Sequence, residues 1–574
     1  MTGATSPVVL VSMPFADADR PSLQLGLLKA AVGAAGFPVR TVHAYLDFAA
    51  LVGASAYRLL AAHRGRQFGD WLFSVAAFGP AAPDPYAKMV DDFAVDLPSV
   101  DLISLRERVV PAFLDSLASD PVWLAAQFVG FTSTFQQNVA SFALARRLKD
   151  RHPGIVTIFG GANFEGSMGA EYLRAIDCVD HAISGPGEAA LPELLGELTG
   201  TPTPAAFAGG LDDLPVPDYD EYFDRASRLG ILDRKSVLLP FESSRGCWWG
   251  AKHHCTFCGL NGETMRYRSK SPERVLDELG TLARRHRTFR FEAVDNILDP
   301  QYLTTVLPAL TKAGYDLFWE VKANLRREDL RLLAQAGIRR LQPGIESLGS
   351  RVLGLMNKGV RASQNVCLLK WARYYDIDVA WNLLWGFPGE TAADYAAQAA
   401  AVPHLAHLQP PGSADRIWLE RFSPLFASTP EPVPEPSYRY VYPDFVDLSQ
   451  AAYFFDWPSP LDDAVYSDVR REVDRWIAGW PSGPALTYRS IPGLLQIDDR
   501  RGTTPAGTYT FPDPVAAIYL ACDDRPRTAA AVARDLDLPV PLVRQALDEL
   551  AARGLVFLDD DRAIGLALPA IPGR

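Results

Sequence analysis

Residues 236–424 repeat one pattern: a short apolar stretch, a segment with apolar residues at helical spacing, then another short apolar stretch. Such alternation restricts the chain to parallel strands joined by crossover helices. Six strands are expected: SVLLPFESS (236–244), FRFEAVDN (289–296), LFWEVKAN (317–324), RLQPGIES (340–347), DVAWNLLWGFPGE (378–390) and IWLERFSP (417–424). Helices such as 271–286 and 363–375 lie between them. Polar residues gather at the C-terminal strand ends: Asp295 and Asn296, Lys322 and Asn324, Glu346, then Gly386 to Glu390. In parallel barrels that end carries the active site. Loop capping accounts for any one of these residues, but less easily for their recurrence at successive strands.

The same alternation occupies residues 7–195, with strands at PVVLVSMPF, VRTVHAY, AQFVGFTSTFQQN and IVTIFGGANFEG. A doubly wound domain of this kind takes ligands at the C-terminal ends of its strands. Small and hydroxylated residues collect there: Pro14, Thr132, Ser133, Thr134, Gly160, Gly161, Ala162, and Gly185 to Glu188. No G-x-G-x-x-G follows the first strand, where the chain reads MPFADADRPS, so an ordinary dinucleotide site is disfavoured. The expected plan is an α/β multidomain chain: a Rossmann-like domain (1–196), a Pro-, Gly- and Asp-rich linker (197–235), a β/α barrel (236–430), an aromatic and Pro-rich extension (431–480) and a terminal module (481–574).

Three of the six cysteines fall in SRGCWWGAKHHCTFCGLNG, residues 244–262, spaced C-x7-C-x2-C. Clustered cysteines in so long a chain fit a reducing compartment and an inorganic site better than a disulfide framework. Zinc would take a fourth ligand from His253 or His254. Three thiolates also suit a four-iron cluster that keeps one iron open for a substrate. The net charge of -12 argues against nonspecific attraction to nucleic acid or an anionic membrane. No apolar run approaches 18 residues and the start has no signal-peptide pattern, so a cytoplasmic location is expected.

The order of strand, three-cysteine loop, GLNGE, then GIES and GFPGE resembles the radical SAM superfamily, with its partial (β/α)6 barrel. The preceding domain, with GFTSTFQQN and FGGAN, is similar to the cobalamin-binding domain of class B members, and the C-x7-C spacing resembles a branch that matures ribosomally made peptides (RiPPs). The resemblance implies that Cys247, Cys255 and Cys258 hold a [4Fe-4S] cluster whose open iron binds S-adenosylmethionine (SAM). Reduction then cleaves SAM to methionine and a 5′-deoxyadenosyl radical, and methylcobalamin supplies the methyl group. Glu346 is expected at the SAM ribose, with Phe257, Asp295, Asn296 and Lys322 as further SAM contacts. Cobalamin is expected against Pro14, Thr132, Ser133, Thr134, Phe135, Gln137, Gly160, Gly161, Ala162, Gly185 and Glu188. The family's D-x-H-x-x-G string has only a misplaced relic at Asp150 and His152, so no histidine is expected on the cobalt.

The last 90 or so residues suggest a hairpin, three helices and an extended pair, a winged helix-turn-helix pattern. Residues 513–574 hold more acidic residues than Arg and no Lys, and Asp548 and Glu549 make a poor phosphate surface. The module resembles the recognition elements that bind a precursor's leader as an added strand. The expected activity is therefore C-methylation of a precursor peptide, with an external electron donor and no nucleic-acid or membrane partner. Peptide cyclisation or crosslinking, methylation of a small natural product, and a non-catalytic cobalamin-sensing regulator are the alternatives. Removing residues beyond 480 is expected to weaken peptide binding and spare cluster assembly.

Overall fold

The structure, a computed structural model, describes residues 7–62, 66–93, 100–202, 210–262, 265–503 and 507–570. Glu263 of GLNGE and residues 203–209 of the expected linker lie outside them. The chain divides into two compact units, 1–243 with 258–292 and 419–456, and 244–257 with 293–418 and 457–574.

The first unit contains a five-stranded parallel sheet. Its strands are β1 (Val8–Ser12), β2 (Val39–His43), β3 (Phe128–Thr132), β4 (Val156–Gly160) and β5 (His181–Ile183), in the order β2-β1-β3-β4-β5. Every residue of β1 and β3 is buried, which is why they read as continuous apolar runs rather than alternating ones. Helices α1 (Leu23–Ala34) and α2 (Asn138–Arg151) return the chain between strands, and α3 (Gly187–Thr199) follows β5. Leu25, Val32, Leu191 and Leu195 pack with Val8, Leu10, Phe128 and Ile158 in one core. The register pairs Ser12 with Thr132 and Thr132 with Gly160, so one row of residues ends the sheet. The order reverses between β1 and β3, and that switch point opens a ligand crevice in sheets of this kind.

The barrel strands are β6 (Leu239–Phe241), β7 (Arg290–Ala293), β8 (Asp316–Val321), β9 (Ile338–Pro343) and β10 (Asp378–Val379). In the second unit β8, β9 and β10 lie side by side in the order β10-β9-β8, and both pairs are parallel. Helix α4 (Pro272–His286) connects β6 to β7, α5 (Arg327–Gln335) connects β8 to β9, and α6 (Ala362–Tyr374) connects β9 to β10. Ser271 caps α4 by accepting the Arg274 N–H, with Pro272 at the first helical position, a start that suits proline's fixed φ.

Two expectations need correction. The fifth strand is broken: after β10 the chain resumes as β11 (Leu383–Trp385), which pairs with β12 (Ala414–Arg416) in a separate sheet. The sixth expected strand, 417–424, keeps only β13 (Leu419–Glu420), and its partner is β14 (Phe454–Phe455) in antiparallel sense. Phe422 at φ 71° turns the chain and Pro424 opens the helix Pro424–Ser428, so a continuous strand cannot form there.

In the second unit β15 (Ala485–Ile491), β16 (Leu494–Arg500) and β17 (Gly507–Pro512) form an antiparallel run, with β17 at the outer edge. Helices α7 (Val515–Ala521), α8 (Ala529–Leu536) and α9 (Val540–Ala552) follow, then the hairpin of β18 (Val556–Asp559) and β19 (Arg562–Gly565). Among the described residues no helix is long and apolar enough to cross a membrane.

Candidate active site

The cysteine loop leaves the barrel just after β6. Ser244 donates its N–H to Asp295 Oδ1 at 2.8 Å, and Trp319 Nε1 donates to Oδ2 at 2.9 Å. Asp295 is 1% exposed, so its carboxylate is committed to tying the loop's start to β7 and β8. Residues 247–254 then coil on themselves: Ala251 N–H donates to the Cys247 carbonyl and His254 N–H to that of Gly250. The Gly250 N–H points at Cys247 Sγ, 3.3 Å away. Trp249 Nε1 donates to the Asn357 carbonyl at 3.0 Å, and the exposed His253 ring stacks on Trp249 at 4.1 Å.

All three cysteines are thiols outside any disulfide, and all are partly exposed. Among the described residues no three His, Cys, Asp or Glu side chains converge closely enough for a single metal ion. A zinc site requires such convergence. A four-iron cluster puts each thiolate on a different iron and so takes spaced, accessible sulfurs. Burial pushes the Cys255 thiol up, and Lys358 and Lys322 oppose that shift. Accessible thiols, an N–H directed at one sulfur and nearby ammonium groups together fit an anionic iron–sulfur cluster.

Around the loop, Lys322 Nζ sits 3.5 Å over the Trp249 ring and donates to the Lys358 carbonyl. Burial and the Lys358 charge push Lys322 down to about 8. Lys358 Nζ lies 3.4 Å from Glu346 Oε1. Glu346 is half-buried with φ 56°, and its carbonyl accepts the Leu384 N–H at 2.8 Å, so its backbone joins the end of β9 to β11. Phe257 meets Phe387 edge-on at 5.7 Å, and Asn296 is half-buried after β7. Glu390 accepts the Gly386 and Phe387 N–H groups and the Tyr395 and Tyr466 hydroxyls, while Trp457 Nε1 donates to the Gly386 carbonyl. The GFPGE string is thereby closed into a fixed loop. In the first unit, Gly259 beside Cys258 donates its N–H to the half-buried Glu420 carboxylate at 2.8 Å.

At the end of the first sheet, the expected residues divide by exposure. Pro14, Thr132, Ser133 and Gln137 are buried. Gln137 donates to the Met13 carbonyl and accepts from Thr134, while the Ser133 hydroxyl donates to Asn138. These four build the loops. Phe135 and Ala162 are exposed, Thr134, Gly160, Gly161 and Gly185 are half-buried, and these six form the surface a ligand can meet. Glu188 lies buried in the first turn of α3. Gly161 has φ 99°, and a Cβ there would stand 2.5 Å from the Ser133 carbonyl oxygen. Gly161→Ala is therefore expected to displace the Ser133 loop and lower the thermal midpoint of the full chain, read by thermal denaturation. His152 caps the far, C-terminal end of α2.

Lys358 carried no signal in the sequence. It stands in a turn rather than at a strand end, and meets Lys322 and Glu346 only through tertiary packing.

The fold is thus a doubly wound α/β domain ahead of a partial parallel barrel with a three-cysteine loop after its first strand. Residues 241–398 match the model of the Radical SAM superfamily. An uncharacterized methyltransferase of Pyrococcus horikoshii is 22% identical over 53% of this chain and 66% of its own. Hopanoid C-3 methylase of Methylococcus capsulatus is 28% identical over 49% of this chain and 57% of its own. The chain thus spans less than two thirds of either relative. The radical SAM methyltransferase TsrM of Kitasatospora setae, solved with cobalamin and a [4Fe-4S] cluster bound, superposes with a TM-score of 0.53 at 15% identity, over 81% of this chain and 91% of that one. This last likeness is one of fold.

Proposed function

We propose that the chain is a cobalamin-dependent radical SAM enzyme that methylates an unactivated carbon of a ribosomally made precursor peptide. The observation that carries this reading is the three-cysteine loop, within the segment matching the Radical SAM superfamily, in a chain that also bears the 2-1-3-4-5 parallel sheet. Two relatives named as methyl-transferring proteins support the reaction class.

Cys247, Cys255 and Cys258 would hold the cluster. Glu346, Asn296, Lys322 and Phe257 would line SAM, and Thr134, Phe135, Gly160, Gly161, Ala162 and Gly185 would face the corrin. When bound, these groups supply a carbon radical and a transferable methyl group. The protein residues position and shield. Glu346 offers a carboxylate to a hydroxyl donor, and the ring pair of Phe257 and Phe387 gives the site an apolar wall. Glu390, Tyr466 and Trp457 hold the GFPGE loop in place.

The terminal module supports a peptide substrate. Its three helices and hairpin follow winged-helix order, and β17 lies at a sheet edge with Tyr509 and Phe511 stacked at 6.4 Å. An edge strand can take an extended peptide as an added strand. The electrons would come from an external low-potential donor.

The test is anaerobic reconstitution with iron, sulfide and hydroxocobalamin, followed by methyl-labelled SAM and the candidate peptide. About four iron and one cobalt per chain, 5′-deoxyadenosine, and labelled methyl on the peptide are expected. Iron without cobalt would remove methyl transfer, and zinc in place of iron would overturn the reading. Unlabelled crosslinked peptide would turn it to cyclisation.

A further inference from the structure

The seven residues between Cys247 and Cys255 need a physical reason, because a shorter loop would also present three thiols. The Trp249 indole lies between two aromatic or cationic neighbours, with His253 stacked at 4.1 Å and Lys322 Nζ 3.5 Å from its centroid. Its Nε1 is held by the Asn357 carbonyl. A Cβ on Gly359, whose φ is 61°, would stand 2.0 Å from Trp249 ring carbons, so the 357–359 turn is pressed against this indole. That turn sends Lys358 back over the end of β9. A Cβ on Gly344 would come within 2.4 Å of Lys358 Nζ, so the missing side chain leaves room for the ammonium. Lys358 then reaches Glu346 Oε1 at 3.4 Å and stands 5.7 Å over the Phe257 ring. Lys322 is fixed to the same turn through the Lys358 carbonyl.

Two ammonium groups are thus held on the turn and indole that pack against the loop between Cys247 and Cys255, and one of them, Lys358, is paired with the Glu346 carboxylate. The Cys255 sulfur is 3.9 Å from the carbonyl of Asn357, the residue next to Lys358.

We propose that Trp249 is a platform that places Lys322 and Lys358 to set the reduction potential of the cluster bound by this loop. This rests on the cluster assignment made above. One electron from a low-potential donor enters the cluster, no bond forms or breaks, and no proton is taken up. The site becomes more negative by one charge, so nearby cations favour the reduced form and nearby anions oppose it. Lys322 and Lys358 raise the potential. Glu346, although it neutralises Lys358 in part, lowers it. These are positioning and electrostatic roles, distinct from any contact with SAM.

The experiment uses the full chain with its cluster reconstituted, without SAM, titrated electrochemically with dithionite and mediators and followed by electron paramagnetic resonance. Iron content is measured first. Lys358→Gln and Lys322→Gln are expected to lower the midpoint by about tenfold in the reduction constant, about 59 mV for one electron. Glu346→Gln is expected to raise it, and Trp249→Leu, which frees Lys322, to lower it less than Lys322→Gln does. Loss of packing alone does not produce opposite signs from the two partners of one ion pair. An unchanged midpoint in Lys358→Gln with four iron retained, or a shift of the same sign in Lys358→Gln and Glu346→Gln, overturns the proposal. If a lysine variant loses iron, Glu346→Gln decides: a midpoint that does not rise overturns it. Absence of iron from the wild-type protein overturns the cluster assignment and this proposal together.

Discussion

Cys247→Ala is expected to abolish both cluster assembly and 5′-deoxyadenosine formation, with the product falling to background. The substitution removes one of three thiolates and leaves one cluster iron without its protein ligand. The fold should survive it. Cys247 is a free, half-buried thiol whose nearest hydrogen bond is the Gly250 N–H at 3.3 Å, and losing a weak N–H to sulfur contact costs little beside the several interactions that hold the loop's start through Asp295. The thermal midpoint of the apo protein is therefore expected to match wild type while iron content collapses. His253→Ala separates the two metal readings. Its ring is spent on Trp249, so iron content should stay near wild type, whereas a zinc site using His253 would lose metal in both variants. Retained SAM cleavage in Cys247→Ala would remove the cluster from this loop.

How much of this was legible depends on range. The strands β6, β8 and β9 follow from local apolar runs, and α4 from helical spacing with Ser271 and Pro272 at its start, because each of those signals lies within a few residues. The fate of 417–424 was not legible. Leu419 and Glu420 pair with Phe454 and Phe455 in antiparallel sense, and nothing within the string shows a partner more than thirty residues on. Polar residues at strand ends posed a second difficulty. Asp295 and Gln137 read like ligand contacts, yet they are 1% and 2% exposed and fully occupied with loop N–H, indole and carbonyl groups. Lys322 and Glu346 stand at equivalent strand ends and stay partly open. The sequence pattern is the same in both pairs, and only burial distinguishes a tie from a site. Lys358 shows the converse, since it reaches Glu346 from a turn and across a glycine.

Asp523→Ala is expected to destabilise the second unit by about 3–5 kcal/mol, the usual cost of removing one partner from a buried ion pair. Lys370, on α6 of the barrel, is fully buried, and its three protons go to Asp523 Oδ1 at 2.7 Å, the Asp523 carbonyl at 2.8 Å and the Gly565 carbonyl at 2.7 Å. Asp523 Oδ2 in turn accepts the Tyr488 hydroxyl at 2.8 Å. The same helix gives Trp371 Nε1 to the Asp524 carbonyl, and Asp559 accepts from the Ser363 N–H and hydroxyl at its start. These ties change the expectation for truncation. A chain ending at residue 480 would leave the Lys370 ammonium and the Trp371 face of α6 without their partners, so the barrel is expected to aggregate or melt early and to assemble its cluster poorly. Lys370→Met with Asp523→Leu removes both charges together and should recover much of the loss, because a buried pair replaced by apolar groups of similar volume is often near neutral. Chemical denaturation of the two full-length variants beside wild type reads the order directly. A truncated protein that stays folded and binds four irons would show that α6 holds its place without these ties, and the terminal module would then be the separable domain its sequence suggests.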